Sequence, residues 1–125
     1  MKTAKDVMTR EVISIAPDRA VSDAVALMKA KDITSLLVER DGPVDAYGIV
    51  TEKDVIIKVV ATGRHPGRTK VREIMSKPII TIPPDCSLKE CAELMARRGL
   101  RRLPVFDGKD IIGIVSATDI FNVTE

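Results

Sequence analysis

Gly48-Ile49-Val50-Thr51-Glu52-Lys53-Asp54 returns, with small changes, as Gly113-Ile114-Val115-Ser116-Ala117-Thr118-Asp119. In each copy a glycine leads the apolar end of a strand, a hydroxyl residue follows, and an aspartate comes three residues later, where a helical pattern begins. The hydroxyl of Thr51 or Ser116 suits an N-cap, and Asp54 or Asp119 then falls in the first helical turn. The same atoms suit two roles, because a strand-to-helix turn of this kind caps its own helix and also presents amides and a positive dipole end to an anion.

Working outward, the repetition extends over most of the chain. Val7-Met8-Thr9 matches Ile74-Met75-Ser76, a shift of 74 minus 7, or 67. The same shift carries Ser14-Ile15-Ala16-Pro17-Asp18 onto Thr81-Ile82-Pro83-Pro84-Asp85, and Leu27-Met28 onto Leu94-Met95. At the glycine phrase the shift is 113 minus 48, or 65, so the second copy has a connection two residues shorter. A repeat of this length means two similar supersecondary units.

Each unit reads as β-α-β-β-α. A short apolar segment (12–15; 79–82) precedes a proline turn. Apolar residues then fall at helical spacing: Val21, Ala24, Val25 and Met28 in one copy, Leu88, Cys91, Ala92 and Met95 in the other. Ser87 and Glu90 make a capping box for the second helix, whereas Ala20 stands where Ser87 would be, so the second helix should start more firmly. Strands over 36–39 and 103–106, a turn at Asp41-Gly42-Pro43 or Asp107-Gly108, the glycine phrase and a last helix complete each copy. One such unit buries little apolar surface alone, and two packed sheet against sheet would remedy that. Residues 1–62 are read as the first repeat, 63–70 as an exposed basic linker and 71–125 as the second repeat.

Composition narrows the function. Of 125 residues, 45% are hydrophobic and 30% charged, which describes a globular chain. Aromatics are 2%, with Tyr47, Phe106 and Phe121 alone and no Trp, and the net charge is +2, so a nucleic-acid surface is not expected. The core should be aliphatic, with Met8, Met28, Met75 and Met95 as filling. Cys86 and Cys91 have no His or Cys companions for a metal set and are expected to be reduced, partly buried thiols. No apolar run resembles a signal peptide or a membrane span, which points to a cytoplasmic protein. His65, in the linker, has no partner that would make it a base, and neither a P-loop nor a nucleophile with a base is present, so no enzyme is expected.

The doubled Met-Thr/Ser lead-in, the doubled Pro-Asp before the first helix, Leu103-Pro104-Val105 and the doubled Gly-Ile-Val-Thr/Ser-x-x-Asp together resemble the cystathionine β-synthase (CBS) domain family, from about Ala4 to Val123. The resemblance implies an α+β fold: a stand-alone tandem pair of β-α-β-β-α repeats about a pseudo-twofold axis, often dimerised into a disc. It also implies regulatory binding of AMP, ADP, ATP, S-adenosylmethionine or NAD in two inter-repeat clefts, with an energy-sensing signal relayed to an effector protein or an oligomer. Carried over residue by residue, one cleft combines Ser116, Thr118 and Asp119 with Thr9, Val12, Ile13, Ile33 and Thr34. The other combines Thr51, Lys53 and Asp54 with Ser76, Ile79, Ile80, Leu100 and Arg101. The aspartates would take ribose hydroxyls, the hydroxyls and cations would meet phosphate, and the aliphatic residues would sandwich adenine.

From the residues themselves, the first cleft is lined by neutral hydroxyls and the second carries Lys53 and Arg101, so the second should favour more phosphates. Glu52 departs from this, since a carboxylate facing the ligand repels phosphate; facing solvent, it does not. The alternative function is a ligand-free interaction or dimerisation module.

Overall fold

The computed structural model describes residues 1–125, which gather into two compact units: residues 13–79, and residues 1–12 together with 80–125. In the first of these, β1 (Ser14–Ile15) pairs in parallel with β2 (Ser35–Val38), and β2 pairs antiparallel with β3 (Gly48–Thr51). The parallel pair needs a crossover, supplied by helix α2 (Val21–Lys31), as parallel strands cannot be joined by a tight turn. The β1 strand is shorter than the apolar run 12–15 that announced it.

Helix α2 turns Val21, Ala24 and Met28 inward, and these pack with Ile15, Leu36, Val38, Val50 and Val59 into one aliphatic core. Helix α3 (Glu52–Val55) continues as a π-helical turn over Ile56–Val60, with Ala61 N–H reaching back to Ile56 O at 2.8 Å. The wider turn keeps Val55 and Val59 buried and leaves Ile56, Ile57 and Val60 exposed.

The other unit holds helix α1 (Ala4–Val7), helix α4 (Leu88–Arg98), β4 (Arg102–Phe106), β5 (Ile111–Ser116) and helix α5 (Ala117–Asn122). Strands β4 and β5 pair antiparallel, and a single parallel bridge from Ile82 to Val105 stands where β1 would be. Its core is Ala4, Met8, Ile82, Cys86, Cys91, Met95, Leu103, Val105 and Val115, again without an aromatic ring. Ser87 Oγ accepts the Glu90 N–H at 3.1 Å and donates to Glu90 Oε1 at 3.1 Å, so the cap forms without the reciprocal bond of a capping box, whereas Ala20 leaves the start of α2 without a side-chain cap.

Each unit contains the lead-in of the other repeat. Thr9 and Ile114 exchange two backbone bonds (2.9 and 3.0 Å), and Ser76 and Ile49 exchange two more (both 2.9 Å). Met8-Thr9 therefore lies along β5, and Met75-Ser76 along β3. The glycine that opens each strand phrase is what admits them. A Cβ on Gly113 would stand 2.5 Å from Met8 Sδ, and one on Gly48 would stand 2.9 Å from Met75 Sδ.

The segment read as a linker is exposed along most of its length but is tied down. Pro66–Arg68 forms a 3₁₀ turn whose first N–H groups meet His65, and Thr69 is only 3% exposed, its carbonyl accepting from Val21 N–H at 2.8 Å. Two of its basic residues are matched with acids, Lys70 with Asp18 (3.9 Å) and Arg64 with Glu73, and just beyond it Arg72 joins Asp18 (2.8 Å) and Asp41 (3.3 Å). Such exposed pairs contribute little stability each, but they leave less cationic surface than the sequence suggested.

Candidate functional site

Both glycine phrases fold into the same turn. After β3, Thr51 is the N-cap of α3: its Oγ1 accepts the Asp54 N–H at 3.1 Å, and Asp54 Oδ2 accepts the Thr51 N–H at 2.9 Å. After β5, Ser116 caps α5 in the same reciprocal way, with Ser116 Oγ 3.1 Å from Asp119 N and Asp119 Oδ2 2.8 Å from Ser116 N. A hydroxyl three residues before a carboxylate satisfies two otherwise orphaned amides, which is why this spacing starts a helix here.

The two turns differ in what remains available. The Thr51 hydroxyl donates to Asp54 Oδ2 at 3.0 Å, and Asp54 Oδ1 takes the Lys58 ammonium at 3.2 Å. Lys58 in turn donates to Ile74 O at 2.9 Å. The Thr51 hydroxyl and both Asp54 carboxylate oxygens are thus engaged within the chain. The Ser116 hydroxyl accepts the Asp119 N–H but donates no bond to the Asp119 carboxylate, and Asp119 Oδ1 has no cation on it, because the position 65 residues after Lys58 is Val123. A donor and an acceptor stay open at the Ser116 turn.

Strand register decides which sequence-identified residues lie beside each turn. Ser35 pairs with Thr51 and Arg102 with Ser116, so the residue before each strand meets the residue after its partner. Thr34 O accepts the Glu52 N–H at 2.9 Å, and Arg101 O accepts the Ala117 N–H at 2.8 Å. The sequence reading grouped Thr34 with Asp119 and Arg101 with Asp54; these backbone bonds set Thr34 against the Asp54 turn and Arg101 against the Asp119 turn.

One unit thus carries Thr9, Val12, Ile80, Leu100, Arg101, Ser116, Thr118 and Asp119, and the other Ile13, Ile33, Thr34, Thr51, Lys53, Asp54, Ser76 and Ile79. Thr9, Arg101 and Thr118 are exposed and Asp119 of the same unit is half-buried; Thr34, Lys53 and Ser76 are exposed in the other unit. Glu52 faces solvent. Beside Thr34, a cavity of about 350 Å³ is floored by Val25, Met28, Ile33, Val55 and Ile56, with Lys29, Asp32 and Glu52 among its lining. Lys58 is the residue at this turn that sequence reasoning did not single out; its place four residues after Asp54, on the same helical face, was the available signal.

No group of three metal-ligating side chains occurs, and no helix is long and apolar enough to cross a membrane.

Comparison with known proteins agrees with this architecture. The CBS-domain family model matches residues 4–61 and 71–124. The chain is 33% identical over 120 residues to the CBS domain-containing protein YhcV of Bacillus subtilis, covering 96% of this chain and 84% of that one. It is 35% identical over 106 residues to the mitochondrial CBS domain-containing protein CBSX3 of Arabidopsis thaliana, covering 82% of this chain but 52% of that one. Among solved structures, a hexameric CBS-CP12 protein from bloom-forming cyanobacteria superposes with a TM-score of 0.87 at 41% identity, over 98% of this chain and 68% of that one. CBS pairs are in general regulatory, ligand-binding modules. With two matched domains spanning nearly all of its residues, the chain belongs to the CBS-domain family as a tandem CBS pair.

Proposed function

We propose that this CBS pair is a regulatory sensor that binds an adenosine-containing ligand at the Ser116–Asp119 turn and passes its presence to a partner protein or to its own oligomer. The observation that carries this reading is the difference between the two turns. At Asp119 one carboxylate oxygen and the Ser116 hydroxyl proton are uncommitted, while at Asp54 the carboxylate oxygen is held by Lys58 and the Thr51 hydroxyl proton by Asp54 itself. A carboxylate oxygen suits a ribose diol. The Ser116 and Thr118 hydroxyls and the exposed guanidinium of Arg101 suit phosphate, to which charge-assisted bonds are the stronger kind. Arg101 therefore moves the preference for a phosphorylated ligand to the Asp119 side, and Val12, Ile80 and Leu100 of the same unit offer aliphatic surface for adenine.

The test is a thermal-shift titration with AMP, ADP, ATP, S-adenosylmethionine, NAD and adenosine, on the native protein and on Asp54→Asn and Asp119→Asn. A ligand that binds only the native state must raise Tm with concentration. The expected result is a shift that Asp119→Asn removes and Asp54→Asn keeps. Loss of the shift in Asp54→Asn alone would reverse the assignment, and no shift with any of the six at millimolar concentration would reject the sensor reading.

A second reading, an interaction module that needs no ligand, is favoured by the exposed apolar side chains Ile56, Ile57 and Val60 on the π-helical turn. The relative from cyanobacteria is hexameric, and a homodimer of this chain is the simplest assembly such a surface supports. Sedimentation of the native protein beside Ile57→Lys would test it.

A further inference from the structure

The only two cysteines of the chain, Cys86 and Cys91, lie with their sulfurs 3.6 Å apart at the head of α4. Ser87 is the N-cap, so Cys86 is the residue just before the cap and Cys91 is the fourth residue of the helix. These are the two positions at which a pair of apolar side chains clips the entering chain onto the first turn of a helix. Here the clip is made of two thiols. Nothing in the start of this kind of helix demands sulfur, since α2 has Arg19 and Ala24 at the corresponding positions.

Burial is unequal. Cys91 is 0% exposed and Cys86 is 9% exposed, so Cys86 is the sulfur a small oxidant meets first. The same residue anchors the N-terminal segment: Cys86 O accepts the Ala4 N–H at 2.8 Å, and Pro84 O accepts the Lys5 N–H at 2.9 Å. Helix α1 leads directly into Met8-Thr9, the segment paired with β5.

We propose that Cys86 and Cys91 are a reversible thiol–disulfide pair that closes when a hydroperoxide oxidises Cys86, fixing the head of α4 covalently. The Cys86 sulfur attacks the O–O bond, releasing an alcohol or water and leaving a sulfenic acid. The Cys91 sulfur then attacks the Cys86 sulfur; the S–S bond forms, the S–O bond breaks, and the oxygen leaves as water with the Cys91 proton. Two thiols together lose two protons and two electrons, which reduce one hydroperoxide to an alcohol and water. Burial first, and then the Cys86 sulfur beside it, push the Cys91 thiol up to about 12. Because the thiolate is the attacking form, closure is slow at neutral pH and quickens as pH rises.

The test treats the folded protein with hydrogen peroxide, removes the peroxide, then unfolds and alkylates it for intact-mass analysis, with Cys91→Ser in parallel. The expected product of the native protein is a monomer lighter by two hydrogens that takes up no alkyl group and recovers both thiols with dithiothreitol. Cys91→Ser should instead gain oxygen at Cys86 or form a disulfide-linked dimer. Two alkylated thiols in the native protein after a treatment that oxidises Cys86 in Cys91→Ser would overturn the proposal. So would oxygen addition without disulfide in the native protein, or no oxidation of either protein.

Discussion

Replacing Gly113 by alanine tests the close approach on which the exchanged lead-in depends. The added Cβ would meet Met8 Sδ at 2.5 Å, Met8 Cγ at 2.8 Å and Thr9 O at 3.0 Å. The sulfur could swing aside in an open site, but Met8 is buried in the core, its Cγ is near the root of the side chain, and Thr9 O is a backbone atom in the bridge to Ile114. Overpacking of this kind costs about 1–3 kcal/mol. Removing a glycine stabilises relative to the more restricted unfolded chain by about 0.4–1 kcal/mol, which offsets part of it. The net is a loss of about 1–2 kcal/mol, or a fall in Tm of about 4–8 °C at the usual scaling for a chain of this size.

Gly48→Ala is the internal control. Its Cβ would touch only the Met75 Sδ below 3.0 Å, with Cγ at 3.5 Å and Ser76 O at 3.2 Å, and Met75 is not fully buried. The cost there should stay below about 1 kcal/mol. Urea and thermal unfolding of both variants and of Met8→Ala/Gly113→Ala would decide the matter. Met8→Ala alone should cost about 2–3 kcal/mol, and the pair should cost about 1 kcal/mol less than the sum, because the truncation removes the clash. Equal losses for Gly113→Ala and Gly48→Ala, or strict additivity of Met8→Ala and Gly113→Ala, would refute the steric account.

Ala20→Ser should stabilise by about 0.5–1 kcal/mol, since Ala20 already has the extended backbone of an N-cap (φ −69°, ψ 149°) and lacks only the oxygen; a Tm no higher than that of the native protein would count against this. Ser87→Ala should cost about 1 kcal/mol by the same measurement. Asp32 ends α2 at φ 53° where Gly99 ends α4 at φ 64°, so Asp32→Gly should gain about 0.5–1 kcal/mol in urea unfolding. Stability should fall in acid. The Asp41 N–H and the Lys77 ammonium hold the Asp45 carboxyl down at about 2, and Arg72 lowers Asp18. A carboxyl held low contributes stability above its unfolded value near 3.8 and loses it as pH drops toward 2, so Tm should decline over that window, and less steeply in Asp45→Asn.

The amino-acid sequence by itself determined the two repeats, the inward faces of α2 and α4, the aliphatic core and the capped turns at Thr51 and Ser116. These are carried by local spacing: 3.6-residue periodicity for the helices, and a hydroxyl three residues before a carboxylate for the turns. The family followed from the same motifs in order. The bounds of single elements were less legible, because a strand such as β1 exists only where a partner supplies its hydrogen bonds, and the run 79–82 found one bridge at Ile82. Tertiary structure alone decided the rest. Pairing of Thr9 with Ile114, more than a hundred residues away, has no local signature. The register that sets Ser35 against Thr51 and Arg102 against Ser116 puts the Thr34 carbonyl on the Glu52 N–H and the Arg101 carbonyl on the Ala117 N–H. Chemistry at equivalent positions was legible in principle from local spacing: Thr51 and Ser116 look alike as letters, yet Lys58, four residues after Asp54, occupies one carboxylate, and Val123 leaves the other open. Spacing states which groups can meet along one helix or strand; which of them do meet, and which remain free for a ligand, depends on distances set by packing.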